Sequence, residues 1–114
     1  MVIDVLVGVP VDDFETACAW YEIFFGCPPH VAVKPGESAW RVEGTSWIRV
    51  VADGARAGSA LVTLHVDDLK HHVGLIAMRG IAPDSIETLP GEALRAKISD
   101  PAGNTIVMEE HLAA

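Results

Sequence analysis

The chain has 114 residues, half of them hydrophobic, and sixteen Asp and Glu against eight Lys and Arg give a formal net charge of −8. That length buries a core without disulfide or metal staples, and no apolar run approaches the roughly 20 residues of a membrane-spanning helix. The acidity excludes a phosphate-reading nucleic-acid binder, weakly favours a neutral or cationic small ligand, and also serves plain solubility.

In chain order, Val5, Val7, Val9 and Val11 alternate with Leu6, Gly8 and Pro10, the pattern of a strand with one fully apolar face. Asp12 or Asp13 can cap a helix by accepting from free backbone N–H groups. Phe14, Ala17, Cys18, Tyr21, Phe24 and Phe25 have helical spacing, Gly26 closes the helix, and Pro28-Pro29 forbids its continuation. Short strands are expected at His30–Val33, Ser38–Val42 and Ser46–Ala52, separated by turns with Pro35-Gly36 and Glu43-Gly44. The small, turn-prone run from Asp53 to Ser59 reads as a linker.

The order then repeats. Ala60–Val66 is a strand, Leu69–Arg79 a helix capped at Asp67 or Asp68 and closed near Gly80, and Ser85–Thr88, Leu94–Ser99 and Thr105–Glu109 are strands. Asp100-Pro101-Ala102-Gly103-Asn104 forms a tight turn between the last two. Val11-Asp12-Asp13-Phe14 returns as Val66-Asp67-Asp68-Leu69, 55 positions on, and Ala39-Trp40-Arg41-Val42 returns loosely as Ala93-Leu94-Arg95-Ala96 at an offset of 54. A near-constant offset means two copies of one strand–helix–strand–strand–strand unit. Five strands precede the second helix, which excludes a ferredoxin-like sandwich, whose second helix falls between the third and fourth strands.

The paired βαβββ units, the Val11-Asp12-Asp13-Phe14 helix start with Trp20-Tyr21 and Phe25-Gly26, and the Asp100–Asn104 turn resemble the vicinal oxygen chelate superfamily. That superfamily includes glyoxalase I, extradiol dioxygenases and bleomycin resistance proteins. The resemblance covers nearly the whole chain. It implies an α+β fold in which two βαβββ modules, about 1–53 and about 60–112 of a single domain over 1–114, curve their sheets into a cup with helices on the convex side. It also implies ligand binding in the cup and, in the enzymes, a divalent metal on His, Glu or Gln of the first and last strands of each module. Matching those strands to this chain puts Leu6, Arg49, Leu61 and Val107 at the ligand positions. None of the four donates a lone pair to a metal at neutral pH.

The resemblance therefore points away from an enzyme and toward a metal-independent binding protein without cofactor, similar to the bleomycin resistance group, that sequesters a small aromatic or heterocyclic molecule. By strand parity the cup is expected to be lined by Leu6, Gly8, Trp47, Arg49, Leu61, Thr63, Thr105, Val107 and Glu109, with Trp40 or Arg41 joining from the neighbouring strand. Trp40 and Trp47 offer faces for stacking, or are buried between the sheet and a partner subunit. Arg49 requires an acid, either Glu109 or a ligand group. The competing class is a metal-dependent lyase, isomerase or dioxygenase with a relocated site, for which His65, Glu109 and His111 share the right parity. The other histidines, His30, His71 and His72, read as loop or solvated-helix residues. A plain interaction module with a filled cup is the third class. Edge strands suggest a homodimer without nucleic-acid or membrane partners. Asp4, standing where a secretory leader is basic, and only Cys18 and Cys27 as thiols suggest a cytoplasmic protein.

Overall fold

The computed structural model describes residues 1–111, and the end of the second module at residue 112 lies outside them. The elements are β1 (Val5–Val11), α1 (Phe14–Phe25), β2 (Val31–Lys34), β3 (Glu37–Glu43), β4 (Ser46–Ala52), β5 (Leu61–His65), α2 (Leu69–Met78), β6 (Ser85–Leu89), β7 (Ala93–Ser99) and β8 (Thr105–His111). Two mixed four-stranded sheets result, ordered β1-β4-β3-β2 and β5-β8-β7-β6, so both βαβββ units have the same topology in an α+β fold. In each unit the first and last strands run parallel, which the crossover through the helix makes possible, and the remaining pairs are antiparallel.

Local chemistry explains the helices. Asp13 is the cap of α1, its carboxylate accepting from the Thr16 N–H at 3.1 Å, and Asp68 caps α2 through the His71 N–H at 3.1 Å. These are equivalent residues of the repeat, which resolves both alternatives left by the sequence. Gly26 ends α1 at φ 76°, a left-handed cap where glycine carries no Cβ penalty. Arg79, just past α2, donates to the carbonyls of Ile23 (2.6 Å) and Phe24 (2.8 Å), placing a cation on the C-terminal carbonyls of α1. Glu110 reaches from β8 to accept the Leu69 N–H at 2.7 Å.

One side of each sheet packs against helix. Val9, Val11, Ile48, Val50 and Trp40 of the first unit and Val62, Ile98, Ile106 and Met108 of the second join Ala17, Tyr21, Phe24, Leu69 and Ile76 in one buried cluster. A buried polar bolt crosses between the units. The Tyr21 hydroxyl donates to Asp100 at 2.7 Å, while Asn104 Nδ2 donates to Asp100 and to the Pro10 carbonyl, and Asn104 Oδ1 accepts from the Ala60 N–H. Burial and Asp100 push the Tyr21 phenol well above its ordinary range, so it stays a donor. Gly58 approaches this turn so closely that a Cβ would meet the Ala102 carbonyl oxygen at 2.8 Å. Among the described residues, no helix is long and apolar enough to cross a membrane.

Candidate functional site

The sides of the sheets away from the helices are open. On the first sheet the register aligns Leu6 with Trp47 and Trp47 with Arg41, then Gly8 with Arg49 and Arg49 with Ala39. Arg41 lies 5.2 Å over the Trp47 ring, a cation–π contact, and His30 meets that ring edge-on at 6.4 Å. The Trp47 indole donates to Asp4 at 3.3 Å, so the aromatic wall is held from two sides. Apart from its chain neighbours, Gly8 has no atom of the described residues within 4 Å of where a Cβ would stand, and the space opens into a cavity of about 300 Å³ lined by Pro10, Arg49, Val51, Asp53 and Arg56. The Arg49 Nε is buried there without a hydrogen-bond partner among the described residues. An orphaned guanidinium nitrogen on a mostly apolar face is costly until an acceptor arrives.

Trp40 departs from its expected place. Its partner across the ladder is Ile48, so it lies on the helix side, fully buried, stacked on Phe25 at 5.6 Å and donating to the Cys27 carbonyl at 3.0 Å. Parity hands the open position to Arg41. Trp20, stacked on Phe24 at 5.2 Å, belongs to the helix packing.

On the second sheet, register aligns Leu61 with Thr105, Thr63 with Val107 and Lys97, and His65 with Glu109, Arg95 and Glu87. All these side chains share the open side. Leu61 is 70% exposed, whereas Val107 is buried, with only 5% exposed. Glu109 is the hub: Arg95 Nε donates to Oε2 at 2.9 Å, while His111 Nε2 and His65 Nε2 lie 3.1 and 3.8 Å from Oε1. The Arg95 hydrogen bond holds the Glu109 carboxyl below its ordinary range against the opposing effect of desolvation, and His111 adds to that lowering. With Glu109 engaged by Arg95, the acid that Arg49 requires is not supplied by this residue of its own chain.

Leu6, Arg49, Leu61 and Val107 all lie on the open sides, and their chemistry does not fit the superfamily's divalent metal. A groove of about 830 Å³ along the free edge of β5 went unread in the sequence. Its walls come from both units: Phe24, Phe25 and Val42 from one, and Thr63, His65 and Leu75 from the other. Only the docking of the units creates it. His72, 3.4 Å from Asp67, is a helix-surface residue.

No family model matches the chain, and no curated protein matches it. Among solved structures it is similar to a glyoxalase / bleomycin resistance protein from Catenulispora acidiphila DSM 44928, with 29% identity, coverage of 97% of this chain and 100% of that one, and a TM-score of 0.93. TnmS3, an antibiotic binding protein from Streptomyces sp. CB03234, shares 24% identity over 98% of both chains, at a TM-score of 0.76. A lactoylglutathione lyase from Agrobacterium tumefaciens shares 18% identity over 93% of this chain and 91% of its own, at 0.73. The last two show the fold alone, and they show it carrying both binding and catalysis. The near-complete superposition on the first, together with the paired βαβββ topology, gives this chain the glyoxalase-like fold of the vicinal oxygen chelate superfamily.

Proposed function

We propose that the protein is a small-molecule binding protein of the drug-sequestering kind, holding an aromatic or heterocyclic molecule on the open sides of its sheets. The observation that carries this reading is the substitution of all four metal-ligand positions by Leu6, Arg49, Leu61 and Val107 beside the Trp47 wall. Recognition at these positions requires no metal. Sequestration loses nothing by that, because it involves no bond chemistry. The antibiotic-binding neighbour supports the reading by fold.

The ligand carries an acidic or strongly accepting group. Net charge alone favours a cation, but charge is a local matter. Arg41, Arg49 and Arg56 gather three of the eight Lys and Arg around Trp47 and the cavity, and the orphaned Arg49 Nε is the donor an acid would satisfy.

A second copy completes the site. In one chain β1 and β5 are free edges, and Val5, Leu6, Val7 and Leu61 are 54, 46, 39 and 70% exposed. Apolar strands with an unpaired edge are stabilised by pairing with another chain. The cup is therefore a homodimer feature, its two sheets facing each other across copies. Cys18 and Cys27 are free thiols, in keeping with a cytoplasmic protein.

The test is a tryptophan-emission titration in excess EDTA with a panel of aromatic acids and heterocyclic antibiotics. Trp20 and Trp40 are packed with the helices, so Trp47 supplies the response. Saturable quenching that is lost in Trp47→Phe supports the reading. Absence of quenching across the panel, or quenching that requires added metal, removes it.

A further inference from the structure

The second sheet carries a cluster that apolar sequestration does not use. His65 ends β5, Glu109 lies opposite it on the parallel β8, and His111 follows two residues on, so all three project from the same side. Both imidazoles present Nε2 to a single carboxylate oxygen, Glu109 Oε1, at 3.8 and 3.1 Å. The two rings lie 4.4 Å apart between centroids, and the three donor atoms all fall within 4.8 Å of one another.

A tetrahedral zinc with bonds of about 2.0–2.1 Å holds its ligand atoms about 3.3–3.4 Å apart. The two measured edges of the triangle bracket that value. We propose that His65, Glu109 and His111 form a three-donor site for a divalent transition metal of the zinc and cobalt class, with the fourth position open on the ligand-binding side. Two imidazoles, borderline donors, and one carboxylate oxygen form a mixed nitrogen and oxygen set that such ions accept. Arg95 holds the other oxygen of Glu109 at 2.9 Å, which orients Oε1 toward the histidines, the work of an outer-shell partner. Placement on two hydrogen-bonded strands fixes the backbone spacing of the three residues, and Glu87 paired with Lys97 at 3.4 Å offsets a second cation nearby.

This is a different location from the superfamily's metal. Glu109 lies two residues beyond Val107 and His65 four beyond Leu61, a displacement of about 7 Å along β8. The inference also stands apart from the apolar pocket: ligand quenching in EDTA tests one, and metal binding without ligand tests the other.

The experiment is a cobalt(II) titration of the metal-stripped full-length protein, followed by visible d–d absorption and reversed by zinc. One equivalent per chain with the intense absorption of a four- or five-coordinate site is expected. His65→Asn and His111→Asn, exposed positions that leave the core intact, each weaken cobalt binding by at least about tenfold, the smallest loss usual for disturbing a metal's surroundings. Glu109→Gln weakens it likewise, with far-ultraviolet circular dichroism checking that the fold survives. His72→Gln serves as the control and leaves binding unchanged. A titration indistinguishable from buffer, the weak absorption of a six-coordinate aqueous ion, or binding that survives both histidine substitutions overturns the site.

Discussion

Asn104→Ala tests the packing that positions everything else. The Asn104 side chain is fully buried and makes three hydrogen bonds: Nδ2 to the Pro10 carbonyl at 2.8 Å, Nδ2 to Asp100 Oδ2 at 2.9 Å, and Oδ1 from the Ala60 N–H at 2.9 Å. Alanine removes all three and leaves the Pro10 carbonyl and the Ala60 N–H short of partners. Two neutral bonds of about 1 kcal/mol each and one charge-assisted bond of about 1.5 kcal/mol give a loss of about 3–4 kcal/mol. That is a large part of the 5–15 kcal/mol that holds a typical domain together. Tyr21→Phe removes a single bond to the same carboxylate, which keeps the Ala102 N–H, the Asn104 N–H and Asn104 Nδ2. Its cost should stay near 1–1.5 kcal/mol. Urea unfolding followed by tryptophan emission measures both. An Asn104→Ala loss below about 1 kcal/mol, or one smaller than that of Tyr21→Phe, would refute the bolt as the tie between the units.

Trp47→Ala should weaken an aromatic ligand by about 1–3 kcal/mol in equilibrium titration, and Arg49→Met should weaken only ligands that bear an acid. The wild-type protein should scatter light as twice the 12.2 kDa chain at micromolar concentration, and a monomer mass across that range would remove the shared cup. Gly58→Ala should cost about 1–3 kcal/mol in urea unfolding, since φ at 83° and the Ala102 carbonyl both oppose a Cβ. The Asp13 carboxyl is held below its ordinary range by the Thr16 N–H, so its cap contribution is present above the unfolded value, about pH 4, and is lost as pH falls through the lower folded value. Asp13→Asn keeps the acceptor without the titration, and acid unfolding curves that coincide for the two proteins would contradict this.

Much of the fold was legible because periodicity and punctuation agreed. The bounds of β1, α1 and β4 follow from alternation, helical spacing, the Asp cap and Gly26. Trp40 was harder to place, because Ala39 and Val42 put apolar residues on both parities of β3. Only the ladder register, Trp40 opposite Ile48, fixes its side. Asp100 and Asn104 read as turn residues, and their burial was invisible because the Pro10 carbonyl lies 94 positions upstream. Parity put His65, Glu109 and His111 on one side. Their convergence depends on the parallel β5–β8 register, which no local pattern encodes.

The repeat explains why the two open sides differ. His65 corresponds to Pro10 at the repeat offset, and Glu109 corresponds to Val51, two residues past Arg49 just as Glu109 lies two past Val107. One copy of the unit has thus kept an apolar, arginine-anchored surface around Trp47, and the other a histidine–carboxylate surface around Arg95. A homodimer that faces the first sheet of one copy with the second sheet of the other builds two identical cups, each with one surface of each kind. A ligand filling such a cup meets cations and an indole on one wall and nitrogen and oxygen donors on the other. In the proposed homodimer such a cup would favour a ligand with an acid at one end, a flat ring in the middle and a metal-binding or hydrogen-bonding group at the far end. Neither unit alone could impose that order, so in the proposed homodimer the divergence of the repeat would give the cup a direction.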